Sequence, residues 1–429
     1  MEEEYLKAKK ITEQYKQEHL LKNFEKLTTD KQKKLLNQIE NINFKEVQRL
    51  YENIKNSKTN KMDTKVEPIP YIDKEKLAKT DKEKYDNIGK QAIKEGKLAA
   101  VTMAGGQGTR LGHSGPKGTF DLGLITHKSL FEILCDSLKE AKKEYKVNIP
   151  WYIMTSEENN KETVDFFKKH NYFGYPKEDI NFFKQGKFPM MDTNGKVLLN
   201  EEGIIKEAAD GHGGVYTAML KSGVMEDMKK RGVEWIFIGG VDNVLVKMVD
   251  PTLMGLAIDQ KAPAAGKSVV KAYPEERVGV FCKRDGKPSV IEYTELPEEM
   301  STEVDKDGEL KFGESHILCN LFNLKAIEEI SKNILPYHAA FKKASYLDEN
   351  GKVVTPTEPN AYKSEAFLFD AFEELEKMAI LRVKREEEFA PVKNSDEKGV
   401  DCPKTARRLY ENYQLKKRRE REREDDLCR

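Results

Sequence analysis

A glycine-rich stretch that carries two cations, residues 101–118 (VTMAGGQGTRLGHSGPKG), has the residue types needed for phosphate chemistry. It begins as an apolar run and then turns. A strand that ends in such a turn places several backbone N–H groups at the carboxyl edge of a sheet, where no side chain obstructs an approaching anion. Arg110 and Lys117 lie on the same turn. The stretch therefore predicts a phosphate-binding loop, and a glycine turn without a ligand is the alternative.

Glycine spacing separates three kinds of phosphate loop. The dinucleotide fingerprint GxGxxG opens a helix, whereas the glycines here read GxGxxxG and a proline follows in place of helix formers. The P-loop of NTPases needs Gly-Lys-Ser/Thr before a helix, but Lys117 stands between Pro116 and Gly118. The third kind is the nucleotidyltransferase loop, in which glycines admit a triphosphate and a base while an Arg and a Lys reach the phosphates. The spacing favours this third kind.

The loop AGGQGTRLGHSGPKG, together with TFDLGL, resembles the signature of the eukaryotic-type UDP-sugar pyrophosphorylases, and above all their N-acetylglucosamine branch. The resemblance continues in order through most of residues 95–408. The further blocks are WYIMTS, FFKKHNYFG, FFKQGKFPMM, ADGHGGVYTAML, GGVDNVLVKMVDP, VGVFCKRDG, VIEYTEL, SEAFLFDAF, REEEFAPVKN and KTARRL. Ordered matches of this number are far more specific than one motif.

This resemblance implies attack of a sugar 1-phosphate oxygen on the α-phosphorus of UTP, with pyrophosphate leaving. UTP and a sugar 1-phosphate are the implied partners and Mg²⁺ is the implied cofactor, because orientation and charge neutralisation carry such reactions. The residues expected to act in catalysis are Arg110, Lys117 and Lys393; those expected to bind the nucleotide are Gly105, Gly106, Gly108, Thr109, Gln185, Gly211 and Lys363; those expected to bind the sugar are His212, Gly279, Glu292, Tyr293, Asn320, Phe367 and Phe369; Asp242 is the expected metal ligand.

Two of these residues also have a reason in their own chemistry. Gln185 ends a predicted strand and offers both a donor and an acceptor, as the imide edge of uracil requires, although a surface glutamine would look the same. Asp242 ends the apolar run EWIFIGGVD, where a carboxylate can bind a hard cation while phosphates complete the shell. Helix capping is the competing role for Asp242, but Asp250 is better placed for it.

One block departs from the resemblance. The N-acetylglucosamine branch carries Asn in GNGG, in contact with the acetamido group, whereas this chain has His212, as UDP-glucose and broad UDP-sugar pyrophosphorylases do. Length, TFDLGL and the pair Phe367 and Phe369 favour the N-acetylhexosamine branch, although packing in a helical core would also explain the two aromatics. Glucose 1-phosphate or several sugars remain alternative substrates.

An alternative of another class is a non-catalytic nucleotide-sugar binding protein that keeps the fold. The presence of Arg110, Lys117, Asp242 and Lys393 argues against it.

The elements that must position these residues alternate along the chain. Short apolar runs, LAAVTM, WYIMTS, INFF and EWIFIGG, are separated by amphipathic stretches such as KSLFEILCDSLKEAKKEY, which predicts an α/β fold. Asp285-Gly286 between alternating strands predicts a hairpin and makes the sheet mixed, and Asn350-Gly351 repeats the signal. We therefore expect a central mixed sheet of the Rossmann-like nucleotide-diphospho-sugar transferase type flanked by helices, with an N-terminal helical region and a small C-terminal domain.

Composition sets the remaining expectations. Lys plus Arg equals Asp plus Glu at 74 each, so no bulk charge recruits nucleic acid or an anionic membrane. No stretch approaches the roughly 20 apolar residues of a membrane helix, and five cysteines without CxxC pairs indicate neither zinc nor disulfides, so the cytoplasm is expected. The predicted division is 1–95 (helices and a linker), 96–385 (catalytic domain) and 386–429 (C-terminal segment with a helix).

Overall fold

The computed structural model of this chain describes residues 1–56 and 64–427. Contacts group them into two compact units, each assembled from three separate segments. The smaller unit comprises the described part of Met1–Asp63 with Gly186–Gly214 and Leu335–Leu368, and the larger unit comprises Thr64–Gln185, Val215–Ile334 and the described part of Phe369–Arg429. The division predicted from the sequence stays a prediction.

Helices occur in both units. In chain order they are α1 (Glu2–Gln14), α2 (Thr29–Asn41), α3 (Phe44–Asn56), α4 (Lys79–Lys94), α5 (Leu130–Tyr145), α6 (Asn160–Lys169), α7 (Val215–Lys221), α8 (Val224–Lys230), α9 (Pro251–Asp259), α10 (Glu298–Thr302), α11 (Leu324–Ser331), α12 (Arg385–Glu388) and α13 (Pro403–Leu427). Among these described helices, none is both long and apolar enough to cross a membrane.

Strands are also found in both units. In chain order they are β1 (Val66–Pro68), β2 (Ile72–Asp73), β3 (Leu98–Met103), β4 (Trp151–Thr155), β5 (Ile180–Lys184), β6 (Lys187–Pro189), β7 (Met191–Asp192), β8 (Glu207–Ala209), β9 (Trp235–Gly240), β10 (Ala264–Val270), β11 (Val280–Arg284), β12 (Lys287–Ile291), β13 (Glu314–Asn323), β14 (His338–Lys342), β15 (Tyr346–Leu347), β16 (Val353–Val354), β17 (Ala361–Glu365) and β18 (Ala379–Arg382).

A large mixed sheet organises the larger unit, as the sequence predicted. Its strand order is β2-β18-β10-β13-β9-β3-β4-β5, with β11 joined to β13, β12 and β1. The four strands β9, β3, β4 and β5 are parallel neighbours, whereas β13 is antiparallel to both β9 and β10. Every residue of β3 and β4 is buried, as expected for parallel strands covered on both faces.

Local sequence explains the ends of these elements. α5 begins after Ser129, whose side chain accepts a hydrogen bond from the Glu132 N–H, and α9 begins after Asp250, whose carboxylate accepts from Thr252 and Leu253. The capping role predicted for Asp250 is confirmed. β11 and β12 form the predicted hairpin, with Asp285 (φ 46°) and Gly286 (φ 81°) both left-handed at the turn.

The smaller unit has its own apolar core. The predicted N-terminal helices bury Leu35, Ile39 and Phe44 against residues of the middle segment such as Val197 and Ile205. β14, β17 and β7 form an antiparallel sheet in this unit, and β15 and β16 form the hairpin predicted at Asn350-Gly351. The predicted α/β fold with a large central mixed sheet is confirmed in the larger unit, and the predicted N-terminal helices are present in the smaller unit.

The linker predicted within residues 1–95 contains regular structure. The predicted linker KNSKTNKMDTKVEPIPYIDKEK includes β1 and β2, which join the large sheet through β11 and β18; its residues 57–63 lie outside the described residues. Pro68 ends β1, consistent with a residue that cannot donate to a ladder.

Cys135, Cys282, Cys319 and Cys402 are free and buried, and Cys428 lies outside the described residues.

Candidate active site

The carboxyl ends of four parallel strands bring the predicted nucleotide residues of the larger unit to one edge of the sheet. The last residue of β3, Met103, pairs with Gly240 at the end of β9 and with Met154 in β4. Thr155 pairs with Lys184 at the end of β5. The glycine loop, Gln185 and Asp242 each follow one of these strand ends. Ligands of open α/β sheets bind at this edge.

The loop after β3 closes on itself through its own backbone. Gly108 N–H donates to the Gly115 carbonyl at 2.9 Å, and Lys117 N–H donates to the Gly106 carbonyl at 3.1 Å. Gly115 has φ 133°, a conformation that favours glycine. A Cβ built on Gly106 would meet no atom within 4 Å. The loop is therefore a compact turn with an open surface at Gly106.

Asn159 fixes this loop to the turn that follows β4, and sequence reasoning missed it. Its side chain is fully buried, and Nδ2 lies 3.0 Å from the Ala104 carbonyl and 3.3 Å from the Gly106 carbonyl. Its Oδ1 accepts from the Ser156 N–H at 2.8 Å. Nothing in the sequence sets Asn159 apart, because it lies in the polar stretch SEENN after β4 and such stretches are common in turns.

Gln185 lies against the loop at Gly105. A Cβ built on Gly105 would stand 2.5 Å from Gln185 Oε1, so a side chain at this position would displace the amide of Gln185. The Gln185 N–H donates to the Thr155 carbonyl at 2.7 Å, which holds the residue at the end of β5. The structure therefore brings the predicted base-selecting residue beside the predicted nucleotide loop.

Lys117 lies beside the carboxylate of Asp242, and two other predicted cations, Arg110 and Lys393, act on its charge. Lys117 Nζ is 3.6 Å from Asp242 Oδ2, and the two side chains are 18% and 25% exposed. Burial lowers the pKa of Lys117; Asp242 opposes this shift, while the charges of Lys393 and Arg110 act with burial. Lys393 follows Val392, whose backbone N–H donates to the Asp242 carbonyl, and Arg110 lies on the same loop as Lys117. The site is thus rich in positive charge at one end.

The chain after α12 carries Lys393 to this place because Asn243 anchors it. Asn243 Nδ2 donates to the Glu388 carbonyl at 2.8 Å, and its Oδ1 accepts from the Ala390 N–H at 2.9 Å. The Val392 N–H then donates to the Asp242 carbonyl at 2.8 Å. The residue next to Asp242 therefore determines where Lys393 lies.

Three predicted sugar residues of the larger unit contact His316, which the sequence analysis did not single out. The His316 N–H donates to the Gly279 carbonyl at 2.9 Å, and its Nε2 lies 3.2 Å from Asn320 Oδ1. The ring packs edge-on against Phe369 at 5.7 Å. Glu292 Oε1 would be 3.4 Å from a Cβ on Gly279.

Tyr293 is placed differently from that group. It is 45% exposed, and the Arg277 guanidinium lies 6.0 Å from its ring centroid. Its neighbour in sequence, Glu292, is the residue directed toward Gly279. The role predicted for Tyr293 therefore has less support from the geometry than that of Glu292.

The smaller unit contains the other predicted residues. Gly211 has φ 86°, and a Cβ there would stand 2.3 Å from the Ala366 carbonyl oxygen. The Leu368 N–H donates to His212 Nδ1 at 2.9 Å, and the His212 and Phe367 rings are 5.5 Å apart. Lys363 pairs with Glu365 at 2.7 Å on β17. His212 and Phe367 are thus neighbours within this unit.

Comparison with known proteins identifies relatives over most of the chain. Residues 42–420 match the family described as UTP--glucose-1-phosphate uridylyltransferase. A Saccharomyces cerevisiae protein named UDP-N-acetylglucosamine pyrophosphorylase is 39% identical over 415 residues, covering 92% of this chain and 87% of that protein. An Arabidopsis thaliana protein named UDP-N-acetylglucosamine diphosphorylase 2 is 38% identical, with 92% and 81% covered.

A solved structure is similar over nearly the same extent. It is the uridine diphosphate N-acetylglucosamine pyrophosphorylase from Trypanosoma brucei, in complex with an inhibitor. The sequences are 31% identical, the TM-score is 0.82, and the alignment covers 95% of this chain and 84% of that chain.

Proposed function

The chain belongs to the UTP--glucose-1-phosphate uridylyltransferase family, and from that membership we propose that it joins UTP to N-acetylglucosamine 1-phosphate and releases pyrophosphate. It is a nucleotidyltransferase of the UDP-sugar pyrophosphorylase kind. One observation carries the proposal: the glycine loop, Gln185 and the Lys117–Asp242 pair meet at the carboxyl edge of the parallel strands. The relatives' names supply the sugar.

In the proposed mechanism, the loop binds the triphosphate of UTP and Gln185 reads the base. Backbone N–H groups around Gly106 can approach phosphate oxygens because no side chain covers that surface. The amide of Gln185 offers a donor and an acceptor to the uracil edge. Asn159 holds the loop carbonyls from behind, which keeps the turn in this form before UTP binds.

The cations then carry the chemical step. An oxygen of the sugar 1-phosphate attacks the α-phosphorus of UTP, the bond from that phosphorus to the bridging oxygen breaks, and pyrophosphate leaves with the electron pair. Lys117, Arg110 and Lys393 neutralise the charge that brings the two anions together and that develops on the leaving group. Catalysis of this kind works by orientation and electrostatics and needs no covalent intermediate.

We include Mg²⁺ in the proposal as a cofactor held by Asp242. No group of three or more His, Cys, Asp or Glu side chains suited to a metal occurs in the part of the chain that the structure describes. A single partly exposed carboxylate at the end of β9 fits an ion whose other ligands are phosphate oxygens and water. Such an ion, when bound, would neutralise phosphate charge.

Asn320 supports a sugar subsite in the larger unit. The residue is fully buried, its Oδ1 faces His316, and its Nδ2 has no hydrogen-bond partner among the described residues. An unpaired buried amide is costly, so a ligand oxygen is its expected partner. The Gly279 carbonyl accepts from the backbone N–H of His316, and Glu292 lies beside Gly279.

His212 supports an N-acetylated sugar in spite of replacing the expected asparagine. Because the Leu368 N–H donates to Nδ1, the neutral imidazole must carry its proton on Nε2. His212 therefore carries an N–H where asparagine would carry its amide, and an N–H is the kind of group from which an acetamido carbonyl accepts. The cytoplasm remains the compartment that we propose.

Pyrophosphate release from UTP tests the activity. With N-acetylglucosamine 1-phosphate we expect turnover at least tenfold faster than with glucose 1-phosphate, a difference of about 1.4 kcal/mol in transition-state binding. Faster turnover with glucose 1-phosphate would assign the chain to the glucose activity that its histidine also suggested. UTP binding by calorimetry without turnover on any sugar 1-phosphate would contradict the enzyme and favour the binding protein.

A further inference from the structure

We infer that His316 positions the amide of Asn320 and thereby strengthens binding of the sugar 1-phosphate, an inference that rests on the proposed function. His316 and Asn320 are four residues apart on β13, and between them the pairing with β10 shifts register at a bulge where Leu318 has a left-handed backbone (φ 55°), which shortens the strand and lets the two side chains meet. Their contact joins His316 Nε2 to Asn320 Oδ1 at 3.2 Å.

The direction of this hydrogen bond decides what Asn320 offers to a ligand. An amide oxygen can only accept, so His316 carries its proton on Nε2 and donates. The bond occupies Oδ1 and turns Nδ2 away from His316. Nδ2 is then a buried donor without a partner among the described residues, in a side chain with no exposed surface. An oxygen acceptor on the sugar is the chemistry that would satisfy it.

The surroundings of His316 restrict the orientation of its ring. Phe281, Phe369 and Phe372 meet the ring edge-on, at centroid distances of 5.0, 5.7 and 5.6 Å and interplanar angles of 87°, 85° and 86°. The backbone N–H of the same residue donates to the Gly279 carbonyl at 2.9 Å. A ring held on several sides loses little further entropy when it fixes the amide, which is how a surrounding shell preorganises a binding group.

A pair of substitutions at position 316 isolates the hydrogen bond from the packing. His316→Gln keeps a side-chain N–H donor, whereas His316→Met has a similar length and no donor. We expect His316→Met to raise the KM for N-acetylglucosamine 1-phosphate about tenfold, a loss on the scale of one hydrogen bond, while the KM for UTP stays within about twofold. His316→Gln should recover most of this loss.

A double-mutant cycle then tests whether His316 acts through Asn320. Asn320→Leu removes the amide at similar volume and should raise the same KM. If the two residues act as one unit, the double variant His316→Met with Asn320→Leu should be no worse than Asn320→Leu alone. Additive losses would overturn the inference.

Melting temperatures and binding of the UDP-sugar, measured by calorimetry, accompany the kinetics. An equal loss of affinity for the sugar in His316→Met and His316→Gln would show a merely structural role and overturn the inference. Equal increases in the KM values for UTP and for N-acetylglucosamine 1-phosphate would do the same. If His316→Met is too unstable to assay, wild-type affinity in His316→Gln together with weaker binding in Asn320→Leu supports it, and any other pattern rejects it. A wild-type enzyme that turns over no sugar 1-phosphate would instead reject the proposed function.

Discussion

Lys117 combines a mostly buried ammonium group with a carboxylate 3.6 Å away. Burial lowers its pKa, and the nearby charges of Arg110 and Lys393 act in the same direction, whereas Asp242 opposes both. A triphosphate arriving at this cluster would meet the cations Lys117, Arg110 and Lys393 beside the carboxylates of Asp242 and Asp401. The excess of positive charge favours binding of an anion. The charged residues follow three different elements, β3, β9 and α12.

Replacing Lys117 by Met should lower kcat by about 100-fold or more, because removing one charge aimed at the transition state commonly costs that much. The measurement is steady-state pyrophosphate release, with circular dichroism to show that the fold is retained. Lys161→Met, which removes an exposed lysine paired with Asp165 on α6, is the control and should leave kcat unchanged. Undiminished turnover in Lys117→Met would remove Lys117 from the mechanism.

At the scale of elements, the nucleotide loop depends on a contact from the next strand end. Asn159 bonds to two loop carbonyls and to the backbone of its own turn. These bonds join the segments after β3 and β4, so the shape of the loop is determined by a residue more than 40 positions away from it. The sequence contains no pattern that records such a contact.

Substituting Asn159 by Ala should raise the KM for UTP about tenfold, because the loop then samples conformations that do not bind phosphate. The KM for the sugar 1-phosphate should change by less than about twofold, and unfolding should become easier by about 1–3 kcal/mol because buried carbonyls lose their partner. Glu158→Ala, at an exposed position of the same turn, is the neighbouring control. Equal effects on both KM values would indicate general loosening instead of loop positioning.

The packing of α4 against α9 is a second contact between elements. A Cβ on Gly89 would stand 1.9 Å from the Pro251 carbonyl oxygen, and one on Gly255 would stand 1.8 Å from the Tyr85 carbonyl oxygen. The two helices therefore cross backbone to backbone at two glycines. Only glycine allows this approach.

Gly255→Ala should destabilise the chain by about 3 kcal/mol, since the added methyl group meets a backbone atom that a rotamer change cannot move. Urea unfolding measures the loss. Asn87→Ala, at an exposed position of α4, should stay within about 0.5 kcal/mol of wild type. A wild-type midpoint for Gly255→Ala would show that the helices separate at little cost.

For the molecule as a whole, acid and base stability depend on a buried charge network. Lys267 is fully buried and bonds to Asp250 at 2.6 Å and to Glu388. Lys74 and Lys247 contact Glu388 at 3.5 and 3.4 Å. Burial alone would raise the pKa of Asp250 and of Glu388, but the lysine charges outweigh it and hold both pKa values below their ordinary range. Burial by itself would lower the pKa of Lys267. The two carboxylates outweigh burial and raise this pKa above its ordinary value.

Lys267→Met should cost about 3–5 kcal/mol at pH 7, because it leaves two buried carboxylates without their main partner. The same change at Lys84, whose exposed ion pair with Asp259 spans 2.7 Å, should cost only a small fraction of this, because solvent screens the pair. Chemical unfolding at pH 7 compares the two variants. Similar losses would show that burial of the network adds nothing.

The sign of the pH dependence follows from these directions. Carboxylates with depressed pKa values stabilise the folded chain above their unfolded values of 3.8 and 4.5, and this contribution is lost as the pH falls below them. Lys267, with its pKa raised above 10.5, contributes stability that is lost only above that pH. We expect the free energy of unfolding to decrease as the pH is lowered from about 5. The decrease should be more gradual in Glu388→Gln, because that variant takes up one proton fewer. Equal acid slopes would contradict this assignment.

The sequence alone determined what local pattern can encode. Apolar runs of strand length predicted β3, β4, β5 and β9 close to their observed bounds, because burial on both faces leaves a continuous apolar record. The glycine spacing and the ordered family blocks predicted the class of chemistry. Turn residues predicted the two hairpins, since the left-handed backbone restricts which residues fit there.

Tertiary structure alone decided which distant residues meet. Asn159, His316 and Lys267 carry no signature in the sequence, because an amide, an imidazole or an ammonium group gains its role only from the partners that the fold brings within about 3 Å. The two compact units draw on three separate segments each, which no local pattern records. Contacts across long chain separations arise from burial of the whole set of apolar faces at once, so they are properties of the folded chain and not of any one segment.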